Sequence, residues 1–593
     1  MSAVPSSSTP ASAVAQASAF LAAVALPPMF ALSLTPSPTL LNQLLAVGGW
    51  GLCLTLLRGV PPGAARSHPT ATLGAALVIL MACIVGSWTL GSLPTSLALP
   101  PIGLLAAALA LAALGARAAQ AGGPDGIEAF LPFAIGMLVV GLLSAGVAVV
   151  QVFAPNLADG DFIARSGLAG RAVGNLRQPN HLASLLVWAL IVLVPLMEWR
   201  RIPRWLGALA GTFLALAVIL SGSRTGQYGG LAVLVLWGLL DFRLSRVSRL
   251  MLAAGLPLVG LALFFGVGAW LHAHNQVFGA AARLSEGDSS HFAIWQNTLT
   301  MIRQQPWLGV GWGEFNFAWT LTPFPGRPVA FFDHTHDLPL QLLVELGVPI
   351  GLLVLGLLLH AFWQGARRAW AETGAAGHGA RAAWVIVVLI AVHSLDEYPL
   401  WYAYFLLPAA WAWGFSLGSG PAPVRAAAVA AAAEDATLVR LGSEGALLRA
   451  VGGAMIVVAV AAAWDYHVTS TIFSEDEDLP PLSQRIDRGE HSLLFAHHAD
   501  YAAATTTEPP SHALGALERA THSLIDTRLM IAWANALNES GDPERARYVV
   551  ERLREFRKED AAEFLAPCAD PAVTVKPFQC SPPARAFTWR DFR

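Results

Sequence analysis

Phe331-Phe332-Asp333-His334-Thr335-His336-Asp337-Leu338-Pro339-Leu340-Gln341 sets two histidines one residue apart between two carboxylates, at the entrance of an apolar run that continues from Leu338 to Leu359. A run of that length is enough to cross a bilayer. Ionisable groups at its mouth are costly unless they face water or a site. The stretch therefore decides the fold: an all-α polytopic membrane protein, with a polar site where a span begins.

Bulk composition agrees. Of the 593 residues, 55% are hydrophobic and only 13% charged, and mean hydropathy is +0.55. Soluble chains carry about 25% charged residues. A net charge of −3 without a basic run excludes a nucleic-acid partner. The 16 histidines fall in no Cys/His ladder of zinc spacing. Cys53 and Cys83 lie in apolar runs and read as inert core thiols, whereas Cys568 and Cys580 lie in a polar tail and could pair in an oxidising compartment. The first 16 residues are Ala/Ser-rich without a basic start, which suggests a short cytoplasmic lead rather than a cleaved signal peptide.

Apolar runs predict about thirteen spans, near 17–34, 41–58, 71–91, 99–116, 129–153, 182–198, 205–221, 226–241, 250–271, 338–363, 382–397, 400–417 and 449–465. Arginines recur in alternate loops, at Arg58 and Arg66, Arg117, Arg200 to Arg204, Arg243 to Arg249, Arg367 to Arg381, and Arg425 to Arg449. With the N-terminus inside, all six groups become cytoplasmic, as the positive-inside rule requires. Loop 154–181, the Ser221–Gly226 turn, loop 272–337 and the tail then face the other side. The expected division is a lead (1–16), an N-terminal bundle (17–271), a large periplasmic loop (272–337), C-terminal spans (338–465) and a periplasmic helical domain (466–593). In that tail, helix pairs around Glu539-Ser540-Gly541-Asp542-Pro543 read either as one tetratricopeptide-like hairpin or as a plain helical cap.

Five stretches could carry chemistry. Gly174-Asn175-Leu176-Arg177-Gln178-Pro179-Asn180-His181 gathers donors before a span, with Pro179 predicting an extended lead. A helix start of this kind suits an anion; the bland alternative is a capped helix beside a surface arginine. Arg224, in Ser-Gly-Ser-Arg-Thr-Gly, could snorkel to headgroups or, with Arg177, grip a diphosphate bidentately. In loop 272–337, residues 291–302 read as an amphipathic helix and Gln305 to Gly313 as an interfacial Trp/Gly element, with Arg283 a weaker phosphate ligand. His334 and His336 could exchange a proton near neutral pH, bond to backbone, or hold a metal with the flanking carboxylates. In His393-Ser394-Leu395-Asp396-Glu397-Tyr398-Pro399-Leu400-Trp401-Tyr402-Ala403-Tyr404-Phe405, the aromatics form either a membrane belt or a surface for sugars.

Taken together, GNLRQPNHLASLL, SGSRTG, PWLGVGWGEFNF, HTHDLPLQLLVELGVPIG and HSLDEYPLWYAYFLLP resemble the bacterial O-antigen ligase/polymerase superfamily, and within it the pilin-type O-linked oligosaccharyltransferases. The ordered resemblance runs from about Gly174 to Pro408; the N-terminal spans match in hydrophobicity alone. It implies a glycosyltransferase of the bacterial inner membrane that moves a glycan from a polyprenyl-diphosphate lipid to a periplasmic, pilin-like acceptor protein, with no cofactor and no metal. It implies His336 as general base, Arg177, Arg224 and Arg283 as diphosphate ligands, and Gln178, Asn180, His181, His334, Asp337, Glu397, Tyr402 and Tyr404 as positioning residues. Asp337 stands where relatives commonly carry Asn, and an added carboxylate could raise the basicity of His336. An O-antigen ligase acting on lipid A core and a glycan polymerase share the same pocket. A transporter would show internal repeats and mid-span charges, neither of which is visible, and a scaffold would not need His336.

Overall fold

The computed structural model describes residues 10–56, 69–121, 127–279, 281, 290–420 and 443–593, whose regular structure is all helical, with no strand among them. Among these residues, nine helices are long and apolar enough to cross a membrane. Three shorter apolar helices, Ala17–Met29, Leu40–Leu56 and Thr225–Leu240, accompany them. The chain is a multi-pass membrane protein. It divides into two compact units, one of residues 1–75, 104–287 and 357–461, the other of 76–103, 288–356 and 462–593.

The first unit is built around the helix Pro179–Glu198, whose apolar residues run round every side and are almost all buried. A helix hydrophobic all round belongs at the centre of a bundle. Leu131–Phe153, Arg204–Ser221 and Gly374–His393 pack against it, and Trp188 Nε1 donates to the Ile386 carbonyl at 3.2 Å. The segment Arg246–Ala273 is as apolar but barely buried, as expected where lipid is the neighbour. Phe133 stacks on Trp411 at 4.6 Å, beside Phe130 and Phe415. Behind that cluster the helix Ala403–Gly418 lies close to the one that includes Ala112 and Ala116. A Cβ added at Gly414 or Gly418 would come within 1.9 or 2.2 Å of their carbonyl oxygens. Small residues four apart allow this approach, and in lipid such packing is a main source of helix association. At one end, Asp241 accepts from Arg381 at 2.6 Å and from Trp237 at 3.1 Å. That satisfies a buried pair that would otherwise be expensive.

The second unit differs from the sequence-based division. The large loop and the C-terminal tail share one core: Ile294, Phe315, Phe317 and Trp319 from the loop pack with Leu517, Leu529, Trp533, Leu553 and Phe556 from the tail. Arg327 is fully buried between the rings of Trp319 and Phe556, each 4.6 Å from its guanidinium, and pairs with Glu555 at 2.9 Å. Its Nη2 satisfies the Trp319, Thr320 and Thr322 carbonyls. The Gly-Asp-Pro turn is as read: Thr527–Glu539 and Pro543–Glu555 form a hairpin, with Asp542 capping Arg545 N–H at 3.1 Å and Pro543 in the first helical turn. Cys568 and Cys580 are joined, with Cα atoms 5.0 Å apart. The stretch Pro306 to Gly313 lies along a break in Leu338–Ala371, where Gly347 has φ 76° and ψ 163°. Val310 and Gly311 N–H groups bond the Val344 and Glu345 carbonyls, and Val348 N–H bonds that of Pro306. The Val344 and Glu345 carbonyls beside the break are thus satisfied, as buried backbone groups must be.

If the close approach at Gly414 holds the first unit together, Gly414→Val must push the two helices apart. Overpacking of this kind costs about 1–3 kcal/mol. The expected outcome is a lower melting temperature of the purified chain in detergent, while Gly453→Ala, inside the helix Ser443–Ser470 where an added Cβ meets nothing within 4 Å, does not lower it.

Candidate functional site

Three of the sequence stretches converge in the first unit. Gln151, from Leu131–Phe153, prepares the ground. Its side-chain oxygen accepts from the Val173 and Gly174 N–H groups at 2.9 Å each, and its nitrogen donates to the Ala164 carbonyl at 2.6 Å. Asn175 bonds Ala164 N–H and the carbonyls of Met29 and Phe162. Arg177 follows with φ 58°, a left-handed conformation that a non-glycine residue adopts at a cost. Its Nη2 donates to the Ala31 carbonyl at 2.6 Å. Gln178 then caps the helix by accepting from His181 N–H at 2.9 Å. Pro179 does not delay helix entry to Leu182 as predicted; it is the first helical residue, where its missing N–H would have no partner anyway.

Asn180 ties the stretches together. Its amide donates to Glu397 at 3.0 Å and accepts from the Ser223 hydroxyl at 2.6 Å. Ser223 also accepts from Gly226 N–H at 3.1 Å. Thr225 donates to Asp396 at 2.7 Å, so both partners of Pro179–Glu198 are held twice. Arg224 is half-buried at the head of a π-helical turn, Thr225–Gly230. Such turns recur at functional sites. His181 Nδ1 lies 3.0 Å from the Tyr404 hydroxyl, with Tyr402 edge-on at 4.5 Å. Ser184 and His393 Nδ1 are 2.9 Å apart, and His393 Nε2 is buried with no hydrogen-bond partner among the described residues. Arg177 and Arg224 therefore both stem from one hydrogen-bonded frame that also includes Glu397 and Tyr404.

The double-histidine stretch belongs to the second unit. Thr335 is its anchor: its N–H donates to Gln341 at 2.8 Å, its hydroxyl to the Asp337 carbonyl at 2.7 Å, and its own carbonyl accepts from Trp295 at 3.0 Å. His336 follows with φ 56°, so it too is held left-handed. Phe332 meets its ring edge-on at 5.4 Å, and His291 approaches at 5.1 Å. Trp295 and His291 are four apart on the helix Ser290–Gln304, hence on one face. Asp333 lies 3.2 Å from His334. Desolvation raises its carboxyl, but the charges of His334 and His336 outweigh that and bring it to about 2. Asp337 acts elsewhere. Its carboxylate accepts from Leu340 N–H at 2.7 Å, capping the first turn of the long helix, and desolvation raises its pKa, with that bond opposing.

Sequence reasoning thus named Arg177, Gln178, Asn180, His181, Arg224, Glu397, Tyr402 and Tyr404, all of which fall in the first unit, and His334, His336 and Asp337 in the second. Arg283 lies outside the described residues. Reasoning from the sequence missed Gln151, Ser223, Thr225 and Asp396 as partners, and missed Asp333 and His291 beside His336. The i, i+4 spacing of His291 and Trp295 was the available signal for the last.

Comparison with known proteins follows the same segments. Residues 208–355, which include Arg224 and His336, match the O-antigen ligase family. Residues 381–566, with Glu397, Tyr402 and Tyr404, match a family described as virulence factor membrane-bound polymerase, C-terminal. Residues 172–196, with Arg177, Asn180 and His181, match one described as protein glycosylation ligase. Three segments of the chain, each less than half its length, are thus similar to O-antigen ligases, membrane-bound polymerases and protein glycosylation ligases. Two relatives from Acinetobacter baylyi (strain ATCC 33305 / BD413 / ADP1) are similar to it. A general O-oligosaccharyltransferase is 30% identical over 247 residues, 40% of this chain and 42% of that protein. A ComP-specific O-oligosaccharyltransferase is 26% identical over 256 residues, 42% and 44%. The chain spans less than half the length of these relatives.

The cap geometry gives Asp337 a test. Asp337→Asn keeps a capping oxygen, and its unfolding free energy should stay within about 0.5 kcal/mol of the unaltered chain; Asp337→Ala should lose about 1 kcal/mol. Denaturant titration of the purified variants checks both.

Proposed function

We propose that this protein transfers a glycan en bloc from a polyprenyl-diphosphate lipid to a Ser or Thr hydroxyl of a periplasmic, pilin-like protein. The observation that carries this reading is local. The segment matching protein glycosylation ligases, 172–196, is the one in which Arg177 is held left-handed and Asn180 and His181 are fastened to Glu397 and Tyr404. The names of both Acinetobacter relatives point to the same reaction.

In this reading Arg177 and Arg224 hold the diphosphate. A guanidinium meets phosphate oxygens with two parallel N–H bonds, and it stabilises charge as it develops on the leaving group. His336 is the general base. The acceptor hydroxyl oxygen attacks the anomeric carbon, its proton passes to the imidazole, and the bond from that carbon to the diphosphate oxygen breaks. Polyprenyl diphosphate leaves with the electron pair, and the anomeric centre inverts once. A positioned base of this kind is worth about 10²–10⁴ in rate. Asp333, a carboxylate beside the histidine pair, stabilises the imidazolium that forms. Glu397, Tyr402 and Tyr404 set donor and acceptor in place through Asn180 and His181.

The orientation proposed puts the sites and the tail in the periplasm and the N-terminus in the cytoplasm. The six arginine-bearing loops support it. So does the Cys568–Cys580 bond, since disulfides persist in oxidising compartments. A polymerase is the second reading, favoured by the match of 381–566; it differs only in using another lipid-linked glycan as acceptor.

With a purified chain, a polyprenyl-diphosphate glycan and a pilin-type acceptor, His336→Ala should lower kcat at least about a hundredfold and leave membrane insertion intact. Arg224→Lys should raise the donor KM about tenfold, because a lysine keeps the charge but loses the two-pronged geometry. Normal turnover by both variants would remove these roles.

A further inference from the structure

Loop 154–178, which leads to Arg177, borders a half-open cleft of about 550 Å³ in the first unit, lined by Gln151, Val152, Pro155, Asn156, Arg165 and Ser166 among others. None of these residues has a part in the chemistry above. The volume falls within the ~300–1,000 Å³ typical of small-molecule sites, room for a short oligosaccharide. We propose that the cleft binds the sugars of the lipid-linked donor beyond the one whose bond is broken. This rests on the transferase reading and extends it to a recognition site for the glycan.

Three observations lead there. The cleft is built from ordered parts. Gln151 in its floor is the residue that clamps Val173 and Gly174, three residues before Arg177. At its rim, Gly170 accepts from Gly279 N–H at 3.1 Å. Arg171 beside it donates to the Ser221 and Gly222 carbonyls at 3.0 and 3.2 Å, immediately before Ser223 and Arg224. The cleft is therefore fastened at both ends to the backbone that carries the two proposed diphosphate ligands.

The lining also suits sugars. Arg165 donates through Nε to the Ala158 carbonyl at 3.2 Å while its side chain remains exposed. That fixes the guanidinium for a sugar carboxylate or two adjacent hydroxyls, which accept parallel N–H bonds. Asn156 is exposed beside it and offers an amide with both donors and an acceptor. Finally, the turn that closes the loop is pre-shaped. Asp159 accepts from the Asp161, Phe162 and Ile163 N–H groups at 2.9–3.1 Å, which holds the chain between Ala158 and Arg165, both of which line the cleft.

The experiment compares two synthetic donors on the purified chain with one acceptor: a polyprenyl diphosphate bearing a single sugar, and one bearing the full oligosaccharide. Arg165→Ala should raise KM for the long donor on the order of tenfold, the worth of one hydrogen bond to a charged group, with kcat within about twofold and no change for the single-sugar donor. Asn156→Ala, which removes no bond within the loop, should shift the same quantity in the same direction by a smaller factor. Equal losses with both donors would mean that Arg165 merely supports the loop, and no change with either would mean that the cleft is idle; both results overturn the proposal. Transfer of neither donor by the unaltered chain would overturn the transferase reading and this site with it.

Discussion

The amide of Asn180 is the joint on which the first unit's site depends. It donates to a carboxylate, Glu397, and accepts from a hydroxyl, Ser223, so it fastens the HSLDEYPLWYAY stretch and the SGSRTG turn to the start of the most buried helix. Membrane interiors make such bonds consequential, because a polar group left without a partner there costs several kcal/mol. Once Asn180 is satisfied on both sides, Arg224 has a fixed root. His181 can then meet Tyr404.

Left-handed backbone is the second constraint: of the five described non-glycine residues that adopt it, Arg177, Arg200, Asn275, His336 and Arg557, two lie in the candidate site stretches. Arg177 and His336, with φ 58° and 56°, each sit in a conformation that costs on the order of 1–3 kcal/mol and that survives only where neighbours over-determine it. The neighbours are identifiable. Gln151 and Asn175 hold the chain before Arg177. Thr335, bonded through its N–H, hydroxyl and carbonyl, holds it before His336. Strain of this kind clusters at sites that must present a side chain in one direction, and two of the five residues carrying it are those proposed as a diphosphate ligand and as the base.

The fold was largely legible in the sequence because lipid reduces the options to one. Long apolar runs can only be helices, and each of the predicted runs lies in one or overlaps it. The site was legible in its types and not in its pairings. The GNLRQPNH motif named groups that do hydrogen-bond in this frame, yet nothing in it says that Asn180 reaches Glu397, more than two hundred residues away. Asp337 was read as the partner of His336 because it is adjacent. The left-handed turn at His336 sends the next residue to the helix start instead, where its carboxylate caps Leu340, and the carboxylate that senses the histidines is Asp333. The tail was read as separate because its composition is soluble. Its apolar faces are nevertheless spent on Trp319 and Phe332 of the loop, through Phe556 and its neighbours. Periodicity shows that a helix has an apolar face; it does not name what covers it.

The central claim is that a glycan leaves a lipid carrier and arrives on a protein hydroxyl, and the acceptor is where the superfamily's activities diverge. The most direct measurement expresses this chain in cells that make a polyprenyl-linked glycan but lack ligases of their own, together with a periplasmic pilin, and weighs the intact pilin and the lipid A core. The account predicts the glycan's mass added to the pilin, lost with His336→Ala, and an unmodified core. Glycan on the core alone, or longer lipid-linked chains with both acceptors bare, would contradict it.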